Sequence, residues 1–133
     1  MSMDLVIEVD NAPGALAAVA KAISDAGVNI AAATCLGTGE SAELHILVPH
    51  AAAAKHVLAI SQLAVTRERE VVVVEVDDRP GVLADLAGKI AAAGVNLDLV
   101  YVATMNRVVF GAADLDGLRA AVAPPDRGDP AEI

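Results

Sequence analysis

The sequence predicts an α+β fold in which a βαββαβ unit occurs twice, with antiparallel sheets and the helices of each unit on one sheet face. Three observations predict it: an internal repeat, apolar runs of strand and helix type in the same order in both halves, and helix-ending glycines at matching places. With 133 residues, the chain is long enough for two very small domains.

The internal repeat is the strongest of these observations. A shift of 67 positions aligns residues 8–30 with residues 75–97, and thirteen of the 23 aligned pairs are identical. Two unrelated alanine-rich segments would match at about one position in ten. We therefore expect a duplicated unit, with copy 1 at residues 1–69, an incomplete copy 2 at residues 70–123, and a disordered tail at residues 124–133.

The first strand and helix of each copy follow from its apolar spacing. Short β-branched runs at residues 5–9 and 71–76 favour central strands. Pro13 and Pro80 have the fixed φ that suits the first turn of a helix. Apolar side chains then recur at i, i+3 and i+7, which is one helical face. Gly27 and Gly94 come where a left-handed residue would end each helix.

The remaining elements complete the unit. Strands are predicted at residues 30–36, 42–48 and 65–69 of copy 1 and at 97–103 and 107–112 of copy 2, with helices at 51–63 and 115–122. Two right-handed crossovers in this order give a ferredoxin-like sheet. A glycine-containing hairpin turn is predicted at residues 37–42. The proline-rich segment after residue 122 cannot form an ordinary strand. The fourth strand of copy 2 is therefore absent or is supplied by another chain.

Both faces of the second strands look partly buried, which indicates that the sheets pack on each other, within one chain or between two chains. An open sheet edge in copy 2 favours a homodimer.

Composition excludes several function classes. The net charge of -9 opposes binding to nucleic acid or to anionic membranes. The sole cysteine, Cys35, excludes an internal disulfide and fits a reducing compartment. The first residues lack the basic character of a signal peptide, and no apolar run reaches the length of about 18 residues that a membrane span needs. We therefore expect a cytoplasmic protein.

A motif in both copies resembles that of the ACT domain, a regulatory module that binds amino acids. The motif is Asp-x-x-Pro-Gly-x-Leu, followed by a helix and Gly-Val-Asn. It begins at Asp10 in copy 1 and at Asp77 in copy 2. The resemblance covers about residues 4–122. It implies a stand-alone regulator or sensor that binds an amino acid or a similar small metabolite and can act on a partner enzyme.

The resemblance also implies the ligand-binding residues. In ACT-like proteins the loop after strand one and the start of strand two line a cleft, usually where two units meet. Carried over, the candidate residues are Asn11, Ala12, Pro13, Gly14, Ala15, Leu16, Val28, Asn29 and Ile30 in copy 1, and Asp78, Arg79, Pro80, Gly81, Val82, Leu83, Val95, Asn96 and Leu97 in copy 2.

These residue types suit a zwitterion. The unpaired amides and positive dipole of a helix N-terminus bind a carboxylate, and Asn11 or Asp78 could accept from the ammonium. We expect that in each copy the first turn of the helix faces the asparagine that begins the next strand. A purely structural interpretation remains: Pro-Gly only starts the helix, and the asparagine only satisfies turn backbone. Small residues would line the side-chain pocket, namely Ala31, Ala33, Leu99 and Tyr101.

The sequence offers no catalytic or metal motif. Cys35 and His45 can lie on neighbouring strands, but the close ligand spacing of a zinc site is missing. We expect a buried cysteine, surface histidines, no metal and no cofactor. No nucleophile has a recognisable base, so we do not expect an enzyme. The alternative function is a ligand-free dimerisation or protein-interaction module.

Overall fold

The computed structural model describes residues 2–123. Over this range the chain forms these elements: β1 Ser2–Asp10, α1 Ala15–Asp25, β2 Ala32–Thr38, β3 Ser41–Val48, α2 Ala51–Ile60, β4 Val65–Glu75, α3 Val82–Ala92, β5 Leu99–Ala103, β6 Arg107–Gly111 and α4 Leu115–Val122. The predicted α+β class and element order are confirmed, and so is the hairpin between β2 and β3. The predicted tail at residues 124–133 lies outside the described residues.

The strands close into a barrel in the order β1-β3-β2-β5-β6-β4, with antiparallel pairs throughout. Copy 1 contributes the predicted four-stranded antiparallel sheet, with the strand order β4-β1-β3-β2. Copy 2 contributes β5, β6 and the end of β4. A single residue pair, Ala32 with Ala103, joins β2 to β5. The helix-free faces of the two sheets therefore meet inside this one chain.

The two copies share one strand. The predicted strands at residues 65–69 and 71–76 are a single strand, β4, in which residues 65–71 pair with β1 and residues 72–75 pair with β6. The expected domain boundary between residues 69 and 70 therefore lies inside a continuous strand. Side chains alternate along β4, so Arg67 and Arg69 lie on the barrel side. On the other side Glu68 pairs with Lys55 of α2, and Glu70 pairs with Arg119 of α4.

Apolar residues form three layers. One lies between the copy 1 sheet and helices α1 and α2, and includes Ile46 and Leu58. A second lies under α3 and α4, and includes Phe110 and Leu118. The third fills the barrel and includes Val109. Each such side chain, when fully buried, stabilises the fold by about 1.5–3 kcal/mol.

The Pro-Gly pair forms a turn before the helix rather than the first helical turn. The amide of Ala15 donates to the carbonyl of Ala12 at 3.2 Å. Pro13 and Gly14 are therefore the two central residues of a turn. Gly14 has a φ of 87°, and Gly81 repeats this with a φ of 90°. A positive φ at the third residue of such a turn favours glycine, so backbone geometry alone accounts for both glycines.

The predicted helix ends are confirmed. Gly27 and Gly94 have φ values of 77° and 75°, and the amide of Val28 folds back to the carbonyl of Ile23 at 3.2 Å. The second copy repeats that bond at the same distance. Among the helices of residues 2–123, none has the length and apolar character needed to cross a membrane.

Candidate ligand-binding sites

The two predicted segments of copy 1 lie at opposite ends of β2. The amide of Asn11 donates to the carbonyl of Glu40 at 3.0 Å, and its Nδ2 donates to the carbonyl of Gly39 at 2.9 Å. The loop after β1 is thus attached to the hairpin at the far end of β2. Asn29 precedes the start of β2 and lies beside the end of β3, around Val48. The expectation that these two segments face each other across a gap within one copy is therefore wrong.

Copy 2 has the same arrangement. The loop after β4 lies at the β5–β6 turn, where the amide of Val76 donates to the carbonyl of Asn106 at 2.8 Å. Asn96 precedes β5 at its opposite end. The reason is topological, because the helix between two parallel strands carries the chain back along the sheet. The loop that leaves the first strand and the segment that enters the second therefore cannot meet within one copy.

The structure instead places a segment of one copy at the same end of the barrel as a segment of the other. Thr104, in the β5–β6 turn, donates from both its amide and its hydroxyl to the carbonyl of Ala31, each at 3.0 Å. The carbonyl of Asn106, in the same turn, accepts from the amide of Val76, which follows β4. Asn29 of copy 1 therefore lies at the same end of the barrel as residues 78–83 of copy 2. Because β2 and β5 run antiparallel, the loop at Asn11 and Asn96 both lie toward the opposite end, where no residue pair joins β2 to β5 within residues 2–123.

A cavity of ≈ 380 Å³ lies beside Asn29. Besides Val28 and Asn29, residues of α2 and of the end of β3 line it, including Val48, His50 and Val57. The first turn of α2 has no side-chain cap, so its backbone amides are not used by a side chain. The cavity combines apolar walls with polar groups at one edge, which is the usual composition of a small-molecule pocket.

The loop after β4 borders a recess of ≈ 420 Å³ that is charged. Asp77, Arg79, Asp85 and Lys89 contribute to its lining. Arg79 forms an ion pair with Asp85 at 3.2 Å and donates to the carbonyl of Pro80 at 3.4 Å. Helices α1 and α3 both begin without a side-chain cap. The two copies thus offer the same backbone donors with different charge around them.

A buried polar trio inside the barrel was missed by sequence reasoning. Asp4 is fully buried, and its carboxylate accepts from the Tyr101 hydroxyl at 2.6 Å and from His45 Nδ1 at 2.9 Å. Tyr101 belongs to copy 2, and Asp4 and His45 belong to copy 1. One signal could have found it: Asp4 interrupts a buried strand at the position where the repeat has Val71, and a buried charge needs partners.

The same trio corrects the predicted side-chain pocket. Burial raises the pKa of Tyr101 far above its ordinary value, and the hydrogen bond and negative charge of Asp4 raise it further. Tyr101 is therefore a neutral donor held inside the barrel. Ala33, which is predicted to line the same pocket, is exposed on β2. Other expectations also fail: Cys35 is exposed, and the His45 side chain is only 18% exposed.

Within residues 2–123, no three histidine, cysteine or acidic side chains lie close enough together to hold a metal ion.

Comparison with known proteins identifies the family. The family model described as ACT domain matches residues 3–63 and residues 71–121. The chain therefore belongs to the ACT domain family and contains two tandem ACT domains. ACT domains are regulatory modules that bind small molecules, so the chain belongs to a regulatory class. A search of curated protein sequences found no match.

Solved structures agree on the fold. A protein from Bacteroides thetaiotaomicron is 24% identical, with a TM-score of 0.78, and the alignment covers 90% of this chain and 84% of that one. The ligand-free regulatory subunit of aspartate kinase from Thermus thermophilus is 17% identical, with a TM-score of 0.64 and coverage of 91% and 89%. The regulatory subunit of aspartate kinase from Thermus flavus is also 17% identical, with a TM-score of 0.59 and the same coverage.

Proposed function

We propose that this protein is a cytoplasmic regulator that binds an amino acid in clefts between its two ACT units. Membership of the ACT domain family carries the proposal. The arrangement of the barrel supports it, because each uncapped helix start lies at the same end as the asparagine of the other copy. The clefts we propose thus combine residues 78–83 with residues 28–30, and residues 11–16 with residues 95–97.

The chemistry of these segments suits a zwitterion. The first turns of α1 and α3 present backbone amides and the positive end of a helix dipole to a carboxylate. The amide side chain of Asn29 or Asn96 both donates and accepts, so it can bind the ammonium group and also a carboxylate oxygen. Both asparagines are exposed, which leaves their side chains accessible to a ligand.

The two clefts differ in charge, and we expect different affinities. Neutral Asn11 in copy 1 is engaged with the hairpin, whereas copy 2 has Asp78 and the ion-paired Arg79. An isothermal titration should give two unlike sites per chain. A fit to two identical sites would contradict this asymmetry.

A thermal-shift panel of the amino acids tests the proposal. A ligand that binds only the folded state, at 100 times its dissociation constant, stabilises it by about 2.7 kcal/mol. We expect one or a few amino acids to raise the melting temperature of the full chain. Asn29→Ala and Asn96→Ala should each reduce that rise.

Ser24→Ala serves as the matched control, because Ser24 is exposed on α1 and its side chain makes no hydrogen bond within residues 2–123. It should leave the rise unchanged. If no amino acid stabilises the wild-type chain, the proposed function is wrong.

A protein-interaction module is the second candidate, and an exposed apolar surface favours it. Beyond Ala32 the outer edge of β2 has no partner strand within residues 2–123. Leu36 on β2 is 70% exposed, and Val102 on β5 is 69% exposed. An open edge beside apolar side chains suits a second copy of the chain or a partner enzyme. Light scattering of the purified chain would then show a dimer, which Leu36→Lys should dissociate.

A further inference from the structure

The barrel has an opening that neither proposed cleft uses. We name it the barrel mouth; it is a recess of ≈ 430 Å³ whose polar lining includes Glu43, His45, Arg67, Arg69 and Asp98. The first four residues come from β3 and β4, and Asp98 precedes β5 of copy 2. The recess is in the size range of small-molecule pockets, near its lower limit.

The floor of the barrel mouth is rigid and polar. The buried carboxylate of Asp4 binds Nδ1 of His45 and the hydroxyl of Tyr101, so the imidazole is held in one orientation. No further hydrogen bond of His45 is present within residues 2–123. Its second ring nitrogen is thus available to a molecule that enters the recess.

The rim of the barrel mouth has two ion pairs in which a ligand can replace one of the partners. Arg67 pairs with Glu43, and Arg69 pairs with Asp98 at 2.7 Å. All four side chains are at least 35% exposed, and exposed pairs of this kind contribute only about 0–1 kcal/mol. A guanidinium group can therefore leave its surface partner for the carboxylate of a ligand at little cost, and it can bind that carboxylate through two parallel hydrogen bonds.

One of the two arginines is fitted into the fold. Gly111 is buried on β6, and a Cβ there would lie 3.2 Å from Cζ of Arg69 and 3.0 Å from Cβ of Leu99. The missing side chain of this glycine makes the space in which the Arg69 guanidinium lies beside Asp98. The guanidinium group of Arg69 therefore lies close to Gly111, while its side chain stays 35% exposed.

The charges of the rim select the class of ligand. The recess is lined by four carboxylates, of which Glu68 pairs with Lys55 of α2 and the buried Asp4 binds Tyr101 and His45. The other two, Glu43 and Asp98, each pair with one guanidinium group. An anion would therefore leave a carboxylate of the rim without its partner, and a cation would do the same to a guanidinium. We propose that the barrel mouth binds a small zwitterion. The carboxylate of the ligand pairs with an arginine of the rim, and its ammonium group pairs with the carboxylate that this arginine has left. The site uses residues other than those of the proposed clefts, and it rests on the proposed function only for the choice of amino acids as probes.

Nuclear magnetic resonance of the full ¹⁵N-labelled chain separates the sites, because each of its three histidines reports on a different place. His45 lies in the barrel mouth and His50 beside Asn29, and His56 is exposed on α2. We expect an amino acid from the panel to shift the ring signals of His45 saturably, with no change at His56. Arg69→Gln should weaken this binding by about tenfold or more, because it removes a charge-assisted bond.

Arg119→Gln is the matched control, since Arg119 is a partly exposed arginine paired with Glu70 outside the barrel mouth. It should leave the affinity unchanged. If an amino acid shifts the amides of Gly14 or Gly81 but not the His45 ring, the barrel mouth is not a site, while the proposed function stands. Equal binding by wild type and Arg69→Gln also overturns the assignment. If no amino acid shifts any signal, both proposals fail.

Discussion

The layers under the helices and the interior of the barrel have diverged to different degrees between the two copies. Under the helices, equivalent positions are apolar in both copies: Leu5 and Val72, Ile23 and Ile90, Ile46 and Phe110. On the barrel side the equivalent positions differ in kind: Asp4 and Val71, His45 and Val109, and the exposed Thr34 and the buried Tyr101. The repeat thus preserves the packing of helix on sheet but not the surface where the two sheets meet.

This difference has a physical cause. Water is excluded from the centre of a helix-covered layer, so a polar side chain there would lack partners. The barrel interior opens at the barrel mouth, and a polar group there is tolerated when each of its atoms is paired. Asp4 meets that condition through Tyr101 and His45. The fully buried carboxylate of Asp4 is therefore found at the contact between the copies and not under the helices.

The largest expected effect concerns the helix-covered layers. Phe110 is fully buried under α3 and α4, so Phe110→Ala should lower the free energy of unfolding by about 3–5 kcal/mol. Ile46→Val, at the equivalent position of copy 1, should lower it by only about 0.5–1.5 kcal/mol. Because β4 belongs to both sheets, each variant should lower the midpoint of one common transition. Urea unfolding followed by circular dichroism and by Tyr101 fluorescence measures this.

Coincident transitions by the two probes would support a single cooperative unit. If Phe110→Ala gives two separate transitions, with copy 1 still folded after copy 2 has melted, the shared strand does not couple the copies.

The next effect concerns the interior. Tyr101→Phe keeps the ring but removes the hydroxyl that donates to the buried Asp4 carboxylate, so we expect a loss of about 1.5–3 kcal/mol in unfolding free energy. In an Asp4→Asn background the same substitution should cost much less, since the charged acceptor is gone. Equal costs in both backgrounds would show that the bond contributes no coupling between the copies.

The raised pKa of Tyr101 adds a pH dependence. The folded state keeps the phenol proton at pH values where the unfolded chain has lost it, so this contribution to stability is complete below a pH of about 10 and declines as the pH rises above it. As the chain has one tyrosine, tyrosinate absorbance reports it directly. It should appear only with unfolding, and the alkaline loss of stability should be smaller in Tyr101→Phe. Ionisation near pH 10 in a chain with native circular dichroism would contradict this.

Most of the fold could be predicted from the sequence because the repeat supplied it twice. Paired signals such as the glycines at 27 and 94 fix the helix ends by local geometry. The shared strand does not follow from the apolar pattern, because the charged segment divides residues 65–76 into two predicted strands. The alternating side chains of that segment belong to two faces of one strand.

The candidate site was less predictable, since it depends on contacts over long separations. Asn29 and the loop of its own copy have the right residue types, but the crossover places them at opposite ends of β2. The partnership of Asp4 with Tyr101 joins residues 97 positions apart. It exists only once the barrel has closed, and no local pattern encodes that closure.

The smallest effect separates the two Pro-Gly loops. Asn11→Ala removes the bond from Nδ2 to the carbonyl of Gly39 and should cost about 0.5–1.5 kcal/mol. Asp78→Ala, at the equivalent position, should cost almost nothing, because the Asp78 side chain has no hydrogen bond or ion pair in the part of the chain that the structure describes. Gly37→Ala supplies an internal check, since its Cβ would lie 2.6 Å from Oδ1 of Asn11 and displace that side chain. In a chain that already carries Asn11→Ala, the Gly37→Ala substitution should add little to the loss of unfolding free energy. Additive losses in the double variant, measured by urea unfolding, would mean that Asn11 does not hold this loop to the hairpin.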